Sequence, residues 1–200
     1  MSTILISRLE RDPVRQFGLW HAEWAATTPP EPYAMVVATV DADGQPWART
    51  VLLKQFDDNG FVFFTNRESN KGRQLQASKR AALHFMWLST SRQVQVQGRV
   101  ELTTAAEDDA YFASRPRESQ LGAWASQQSR PLNARDALED RFTATDNQYA
   151  GRDVPRPPYW GGFRVIPARF EFWQAGPHRL HDRFEYTHDG DDWFIQRLNP

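Results

Sequence analysis

The chain has 200 residues, 40% of them hydrophobic and 13% aromatic, enough to bury one substantial core within a single domain. Its formal net charge of −1 argues against binding to nucleic acid or a membrane surface, either of which needs a spread excess of Lys and Arg. With no cysteine, disulfides, thiolate nucleophiles and thiolate-held zinc or iron–sulfur sites are excluded, so any redox chemistry must come from a bound cofactor.

The apolar run at Met1–Ile6 is too short for a signal peptide and no stretch reaches membrane-spanning length, so a cytoplasmic location is expected, with the first ten residues fraying. Asp12-Pro13 pairs an N-cap residue with proline at the first helical position, and Val14, Phe17, Trp20 and Trp24 recur at helical spacing, which predicts an amphipathic opening helix. Thr27 to Pro32 breaks it. Ala34–Val40 reads as a buried strand, Asp41–Gly44 as a turn and Trp47–Gln55 as the return strand of a hairpin. A second turn at Asp57–Gly60 leads into a third strand, Phe61–Thr65. A short helix is expected at Asn70–Ala77, then strands at Ala81–Trp87 and Arg92–Leu102; sequential hairpins imply an antiparallel sheet.

Thr104 and Glu107 stand at capping-box spacing before a helix reaching Ser114, with further helical segments near Glu118–Ala125 and Asn133–Tyr149. The proline-rich stretch Gly151–Pro158 reads as an exposed loop or linker. Strand character returns at Trp160–Val165, Arg169–Trp173, Arg179–Tyr186 and Trp193–Arg197, the last two joined by a turn at Asp189-Gly190-Asp191. The resulting fold class is mainly β with helices: an antiparallel β-barrel carrying a helical insertion.

If Arg179–Tyr186 is a strand, alternation places Arg179, His181 and Arg183 on one face, a cationic stripe beside an imidazole that calls for an anionic ligand. The competing reading is a solvated edge strand. Arg49-Thr50-Val51-Leu52-Leu53-Lys54 puts two cations on one strand but on opposite faces, unless a bulge intervenes; snorkelling surface cations are the plainer alternative. Thr65–Arg73 runs from a strand end into a helix start and gathers amides, hydroxyls and Lys71 at a positive helix end, a pattern that suits phosphate or ordinary capping. Tyr111, Arg115 and Ser119, spaced by four with Pro116 breaking the helix, supply hydroxyls and a guanidinium that together can hold a phosphate, and Gln127–Arg130 adds amide donors. No hydrolase elbow, dinucleotide fingerprint or zinc-protease helix is present, and His178 and His181 lack a carboxylate at ligand spacing, so no metal site is expected.

These segments together resemble the pyridoxine (pyridoxamine) 5′-phosphate oxidase family. The resemblance runs from Ala34 to Pro200 and is carried by Met35–Val40, Arg49–Lys54, Ser114–Trp124, Tyr159–Arg164, Glu171–Gln174, Arg179–Phe184 and the terminal Arg197-Leu198-Asn199-Pro200. It implies an FMN-binding split β-barrel working as a homodimer, with FMN at the subunit interface. The FMN contacts it implies are Arg49, Thr50, Val51, Leu52 and Lys54, Phe64 and Thr65, Asn70 and Lys71, Gln93, Gln128 and Ser129, Trp173 and Arg183. The implied substrate contacts are Lys54, Tyr111, Arg115 and Ser119 on a phosphate, with Arg179 and His181 over a pyridine ring as the catalytic pair.

The implied reaction oxidises pyridoxine or pyridoxamine 5′-phosphate to pyridoxal 5′-phosphate, with oxygen as acceptor and hydrogen peroxide as the second product. The alternatives are a split-barrel flavin oxidase for another substrate, of phenazine-pathway type, and a non-catalytic FMN or pyridoxal-phosphate carrier. Two departures from the family pattern stand out. Asn70 occupies a position more often arginine, so weaker FMN retention is expected unless Arg67 or Arg73 compensates. The segment before the first helix is short beside the basic, tyrosine-containing one common in the family, so no lid from that source is expected.

Overall fold

In the computed structural model, which describes residues 3–189 and 192–200, the Asp12 carboxylate accepts a hydrogen bond from the Val14 amide at 2.8 Å and starts α1 (Pro13–Ala25). The apolar stripe of α1 closes the core: Phe17 meets Phe56, Phe61 and Phe85 edge-on at 4.8–4.9 Å between ring centroids. The strands that follow are β1 (Ala34–Val40), β2 (Pro46–Leu52), β3 (Gln55–Asp57) and β4 (Gly60–Asn66), then helix α2 (Asn70–Ser78), β5 (Arg80–Trp87) and β6 (Arg92–Leu102). Three helices come next, α3 (Ala105–Ala113), α4 (Arg117–Ala125) and α5 (Asp136–Gln148), before β7 (Trp160–Gln174), β8 (Asp182–Asp189) and β9 (Asp192–Arg197). Thr104 and Glu107 make the expected capping box at the start of α3. No helix among the described residues is long and apolar enough to cross a membrane.

All nine strands join one antiparallel sheet in the order β2-β1-β5-β6-β7-β4-β3, with β8 added to β7 and β9 to β8. Strand β7 organises it. One edge of β7 pairs with β6 over residues 163–174, with a bulge, while the other pairs with β4 over residues 160–165 and with β8 over 169–174. Alternation sorts the side chains: Val37, Leu83, Val96, Phe170 and Tyr186 form one fully buried cross-strand row, and Phe85, Val94, Phe172 and Phe184 the next. The opposite face carries small residues, Ala38, Ala48 and Ala82, and the row Met86–Gln93–Trp173–Arg183.

Several sequence expectations change here. The return strand Trp47–Gln55 is two elements, because the Leu53 amide bonds to the Tyr33 carbonyl and the next amide, Lys54, to Val62 of β4, so the chain switches partners at that point. Lys54 therefore leaves the strand that carries Arg49. The segments Trp160–Val165 and Arg169–Trp173 are one continuous strand, with Pro167 accommodated at a bulge opposite Gly98. The strand expected from Arg179 begins only at Asp182: residues Pro177–Arg179 form a 3₁₀ turn, with His178 and Arg179 at φ 55° and 65°. The stripe of Arg179, His181 and Arg183 on one strand face thus does not form.

Residues 3–10, expected to fray, lie against β8 and β9: the Ile4 amide donates to Asp182 at 2.8 Å, and Tyr186 donates to the Glu10 carbonyl at 2.9 Å. The stretch Gly151–Pro158 is no free linker, since Val154 is buried in a second apolar cluster with Phe112, Leu121, Tyr149 and Trp160. Gly190 and Asp191 of the expected last turn lie outside the described residues.

The bulge yields a stability prediction. A Cβ on Gly98 would sit 2.0 Å from the Ile166 carbonyl oxygen, which is backbone and cannot swing away. Gly98→Ala should cost about 1–3 kcal/mol. Chemical denaturation measures it, and an unchanged midpoint would show that the β6–β7 contact is looser than its geometry indicates.

Candidate active site

A cavity of about 660 Å³ opens among β2, β4, α2 and the α3–α4 corner. The corner exists because Pro116 stops α3 from running on: α3 ends at Ala113, Pro116 caps α4, and Arg115 falls in the break. Tyr111, Arg115 and Ser119 all line the cavity, as do Thr50, Val51, Leu52, Lys54, Phe64, Thr65, Lys71 and Gln128. None of the described lining residues is acidic, whereas Lys54, Lys71 and Arg115 are cations. Such a surface is complementary to an anion.

Arg115 shows this most sharply. Its guanidinium carbon lies 4.7 Å from the Trp160 ring centroid and 5.4 Å from that of Phe112, yet its buried Nη1 has no hydrogen-bond partner among the described residues. Burial lowers its pKa, opposed by the nearby Tyr111. An unpaired, dehydrated guanidinium nitrogen is costly, and an anionic ligand removes that cost. Around it Tyr111 stacks on Phe64 at 4.2 Å, Phe64 stacks on Trp160 at 5.5 Å, and Lys54 Nζ stands 6.0 Å from the Tyr111 ring.

Lys71 sits at the first turn of α2. Its ammonium is buried and donates to Thr65 Oγ1 at 2.9 Å and Gln128 Oε1 at 3.2 Å. Burial first, and the charge of Arg49 second, push its pKa down to about 8. Arg49 lies behind it, donating to the Val37 carbonyl at 3.2 Å, Thr39 Oγ1 at 2.5 Å and Gln74 Oε1 at 3.2 Å, with no carboxylate partner among the described residues. Ser129, at φ 69°, accepts from the Asn70 amide at 3.2 Å and so docks the Gln127–Arg130 turn onto the start of α2.

The depressed Lys71 has a measurable consequence for the ligand-free protein. Holding it charged costs about 3 kcal/mol for a fall from 10.5 to about 8. Because the folded pKa is the lower one, the unfolded chain carries the extra proton between pH 8 and 10.5. The contribution of Lys71 to stability should therefore be flat below pH 8 and rise through that window. Denaturation of the native chain and of Lys71→Met across this range tests it: the difference between the two should change with pH, and a constant difference would contradict it.

The remaining predicted residues lie elsewhere. Gln93, Trp173 and Arg183 face one another in register across β6, β7 and β8. His181 packs on Trp173 at 4.6 Å, and its Nδ1 accepts from the Gly176 amide at 3.2 Å, which leaves the proton of the neutral ring on Nε2. Arg179 is exposed in the adjoining turn. None of these lines the cavity; Trp160, which does, and Trp173 are separated by roughly 40 Å of strand length, at about 3.3 Å per residue.

Of the two arginines expected to offset Asn70, Arg67 is committed elsewhere: Nη2 pairs with buried Asp108 at 2.8 Å and donates to the Gly162 carbonyl at 3.1 Å. Arg73 stays at the start of α2, donating to Asn70 Oδ1 at 2.6 Å and to the Glu68 carbonyl. Trp160 is one of seven lining residues absent from the predicted site, with Asn66, Ser114, Pro116, Gly122, Ala123 and Ser126. The two glycines after Trp160 mark a tight approach, since a Cβ on Gly161 would meet the Arg67 guanidinium at 2.4 Å and one on Gly162 would meet Thr103 Oγ1 at 2.5 Å.

Comparison with known proteins places this geometry. The family described as pyridoxamine 5′-phosphate oxidase matches residues 22–149, and the pyridoxine 5′-phosphate oxidase C-terminal dimerisation region matches residues 160–200. The chain belongs to the pyridoxamine 5′-phosphate oxidase family.

Relatives in this family include the pyridoxine/pyridoxamine 5′-phosphate oxidase of Rubrobacter xylanophilus, 53% identical over 94% of this chain and 87% of the relative. That of Gluconobacter oxydans is 50% identical over the full length of both. Among solved structures, PhzG from Burkholderia lata 383 in complex with tetrahydrophenazine-1-carboxylic acid superposes with a TM-score of 0.92 at 30% identity, covering 100% of this chain and 98% of that one. A pyridoxamine 5′-phosphate oxidase-related, FMN binding protein from Nostoc punctiforme, 16% identical, shares the fold at a TM-score of 0.76, covering 96% of this chain and 100% of its own. The expected split β-barrel is therefore the fold observed, in a family of FMN-dependent oxidoreductases. The matched dimerisation region contains Trp173, Arg179, His181 and Arg183 together with β8 and β9, while Gln93 joins them from β6.

Proposed function

We propose that this protein oxidises the C4′ alcohol of pyridoxine 5′-phosphate, or the C4′ amine of pyridoxamine 5′-phosphate, to the aldehyde of pyridoxal 5′-phosphate, using FMN. Oxygen takes up the two electrons and two protons and leaves as hydrogen peroxide; with the amine, water supplies the aldehyde oxygen and ammonia is released. The observation that carries this reading is the cavity of Lys54, Lys71 and Arg115 without a carboxylate, with Arg115 Nη1 buried and unpartnered.

The residues fit two phosphates. Tyr111, Arg115, Ser119 and Lys54 converge at the α3–α4 corner and would hold that of the substrate. Arg49, Lys71, Asn70 and Ser129, with Thr65 and Gln128, meet at the start of α2 and would hold that of FMN, with Thr50, Val51, Leu52 and Phe64 as neighbouring wall. When bound, FMN supplies the two-electron acceptor for the hydride leaving C4′. The protein orients and excludes water: the aromatic stack of Tyr111, Phe64 and Trp160 shields the Arg115 guanidinium packed on it, which strengthens its charge-assisted bonds.

Gln93, Trp173 and Arg183, with Arg179 and His181, complete the reading as residues that one copy lends to the cavity of the other. Their separation from the cavity within one chain, and the place of Trp173, Arg179, His181 and Arg183 in the family's dimerisation region, support a homodimer of that kind. There Arg179 supplies a fixed charge and His181 an Nε2–H donor to position the pyridine ring.

Likeness to the phenazine-bound PhzG makes the substrate the point to test. Turnover of pyridoxine 5′-phosphate should exceed that of unphosphorylated pyridoxine by at least about 100-fold in kcat/KM, as expected for about two charge-assisted bonds. Equal turnover of the two, or oxidation confined to unphosphorylated tricyclic acids, would overturn the assignment.

A further inference from the structure

We infer that Glu171 is a positioning residue for Arg183, fixing its guanidinium so that Nη2 is the nitrogen left for the cofactor. This rests on the proposed reading of Arg183 as an FMN contact. By register Glu171 belongs to the outer face of the sheet, between Gln95 and Glu185, yet it is only 7% exposed. A carboxylate buried on that face needs cations, and it has one for each oxygen. Oε1 accepts from Arg183 Nε at 2.8 Å and Oε2 from Arg169 Nη2 at 3.3 Å. Arg169 in turn donates Nε to Glu185 at 2.5 Å, and Gln196 donates to the other oxygen of Glu185 at 2.5 Å. Arg183, Glu171, Arg169 and Glu185 thus alternate in sign and neutralise one another.

Balance alone does not require Glu171 to reach Arg183, because Arg169 already gives it a counter-charge. The oxygen spent on Arg183 takes its Nε–H, the one donor that sets the plane of the guanidinium. A second constraint comes from the C-terminal strand end: Nη1 donates to the Asn199 carbonyl at 2.8 Å, and the Leu198 amide returns to the Arg183 carbonyl at 2.9 Å. Nη2 has no partner among the described residues. With Nε and Nη1 both held, the side chain is ordered before any ligand arrives, and little rotamer freedom is lost on binding. Directly across the ladder stand Trp173 and then Gln93, so the prepared nitrogen belongs to the same row as the other two cofactor candidates of the outer face.

The test is a double-mutant cycle read as the FMN dissociation constant, from quenching of flavin fluorescence on titration with apoprotein, together with apoprotein melting curves. R183A should weaken FMN at least tenfold. E171L should weaken it about tenfold in the native background and less than twofold when Arg183 is already alanine, while E171Q, which keeps an acceptor for Nε, should recover most of the affinity. Equal weakening by E171L in both backgrounds would make Glu171 merely structural and overturn the inference. Should E171L not fold, E171A takes its place, and native FMN affinity in E171A while R183A still loses it would overturn the inference as well. FMN affinity unchanged in R183A would instead overturn the reading of Arg183 itself.

Discussion

Arg115→Met should raise KM for pyridoxamine 5′-phosphate about 100-fold while leaving FMN affinity within about twofold, the former corresponding to roughly 2.7 kcal/mol for one or two lost charge-assisted bonds. The argument rests on where Arg115 sits. Its guanidinium packs against the Trp160 and Phe112 rings, Nη1 is buried without a partner among the described residues, and Tyr111, Ser119 and Lys54 line the same cavity. Methionine covers the same two rings with an unbranched, polarisable chain and removes the unpaired cation. The ligand-free protein should therefore be as stable as the native one or slightly more so, even as the substrate is lost. This opposition of signs distinguishes a residue built for a ligand from one built for the fold. Phosphate binding of this kind acts on substrate and transition state alike, so kcat should change far less than KM. Steady-state kinetics and a melting curve on one preparation measure both; a KM within threefold of native would remove Arg115 from the phosphate site.

The reverse behaviour is expected of Asp108→Ala, which should destabilise the protein by about 3–5 kcal/mol. Asp108 is 1% exposed, and its carboxylate ties α3 to β7 and to the loops that carry Thr103, Arg67 and Arg156. Oδ1 accepts from the Gly162 amide at 2.8 Å and Thr103 at 2.5 Å, while Oδ2 faces Arg67 Nη2 at 2.8 Å and Arg156 Nη1 at 3.8 Å. Removing it strands the Arg67 cation, whose side chain is 18% exposed, and leaves the Gly162 amide unpaired. For a chain of this length the loss corresponds to a fall in Tm on the order of 10 °C. Calorimetry or circular dichroism reads it directly, and a shift under about 2 °C would show that water or Arg156 replaces what Asp108 provides.

Much of this architecture is legible in the residues themselves, for physical reasons that differ along the chain. The Asp12-Pro13 start of α1 and the Thr104–Glu107 box of α3 are local chemistry, satisfied within a few residues, and both appear as read. The break after Leu52 is not local: it depends on Leu53 and Lys54 finding Tyr33 and Val62, partners that no periodicity in the segment announces. Pro167 looks like a strand terminator until Gly98, far away in sequence, provides the bulge that admits it. Arg179 alternates correctly with His181 and Arg183, but the positive φ angles at His178 and Arg179 turn the chain there instead.

The candidate site divides the same way. Tyr111, Arg115 and Ser119 are readable from residue type and spacing, although the proline break leaves them on α3, in the corner and on α4 and no longer on one helix face. Trp160 passes for core because an aromatic ring that walls a cavity has the same sequence signature as one that packs. Asp108 reads as an ordinary acidic residue in a first helical turn, and only the fold reveals that Arg67 is consumed there and cannot stand in for the arginine absent at Asn70.

The most direct test of the account is anaerobic. FMN-loaded protein is mixed with pyridoxamine 5′-phosphate and the visible absorption of the oxidised flavin is followed. Bleaching with formation of pyridoxal 5′-phosphate, reversed on admission of air with release of hydrogen peroxide, is the predicted result. An absorption band that persists in protein holding FMN tightly would contradict the oxidase assignment.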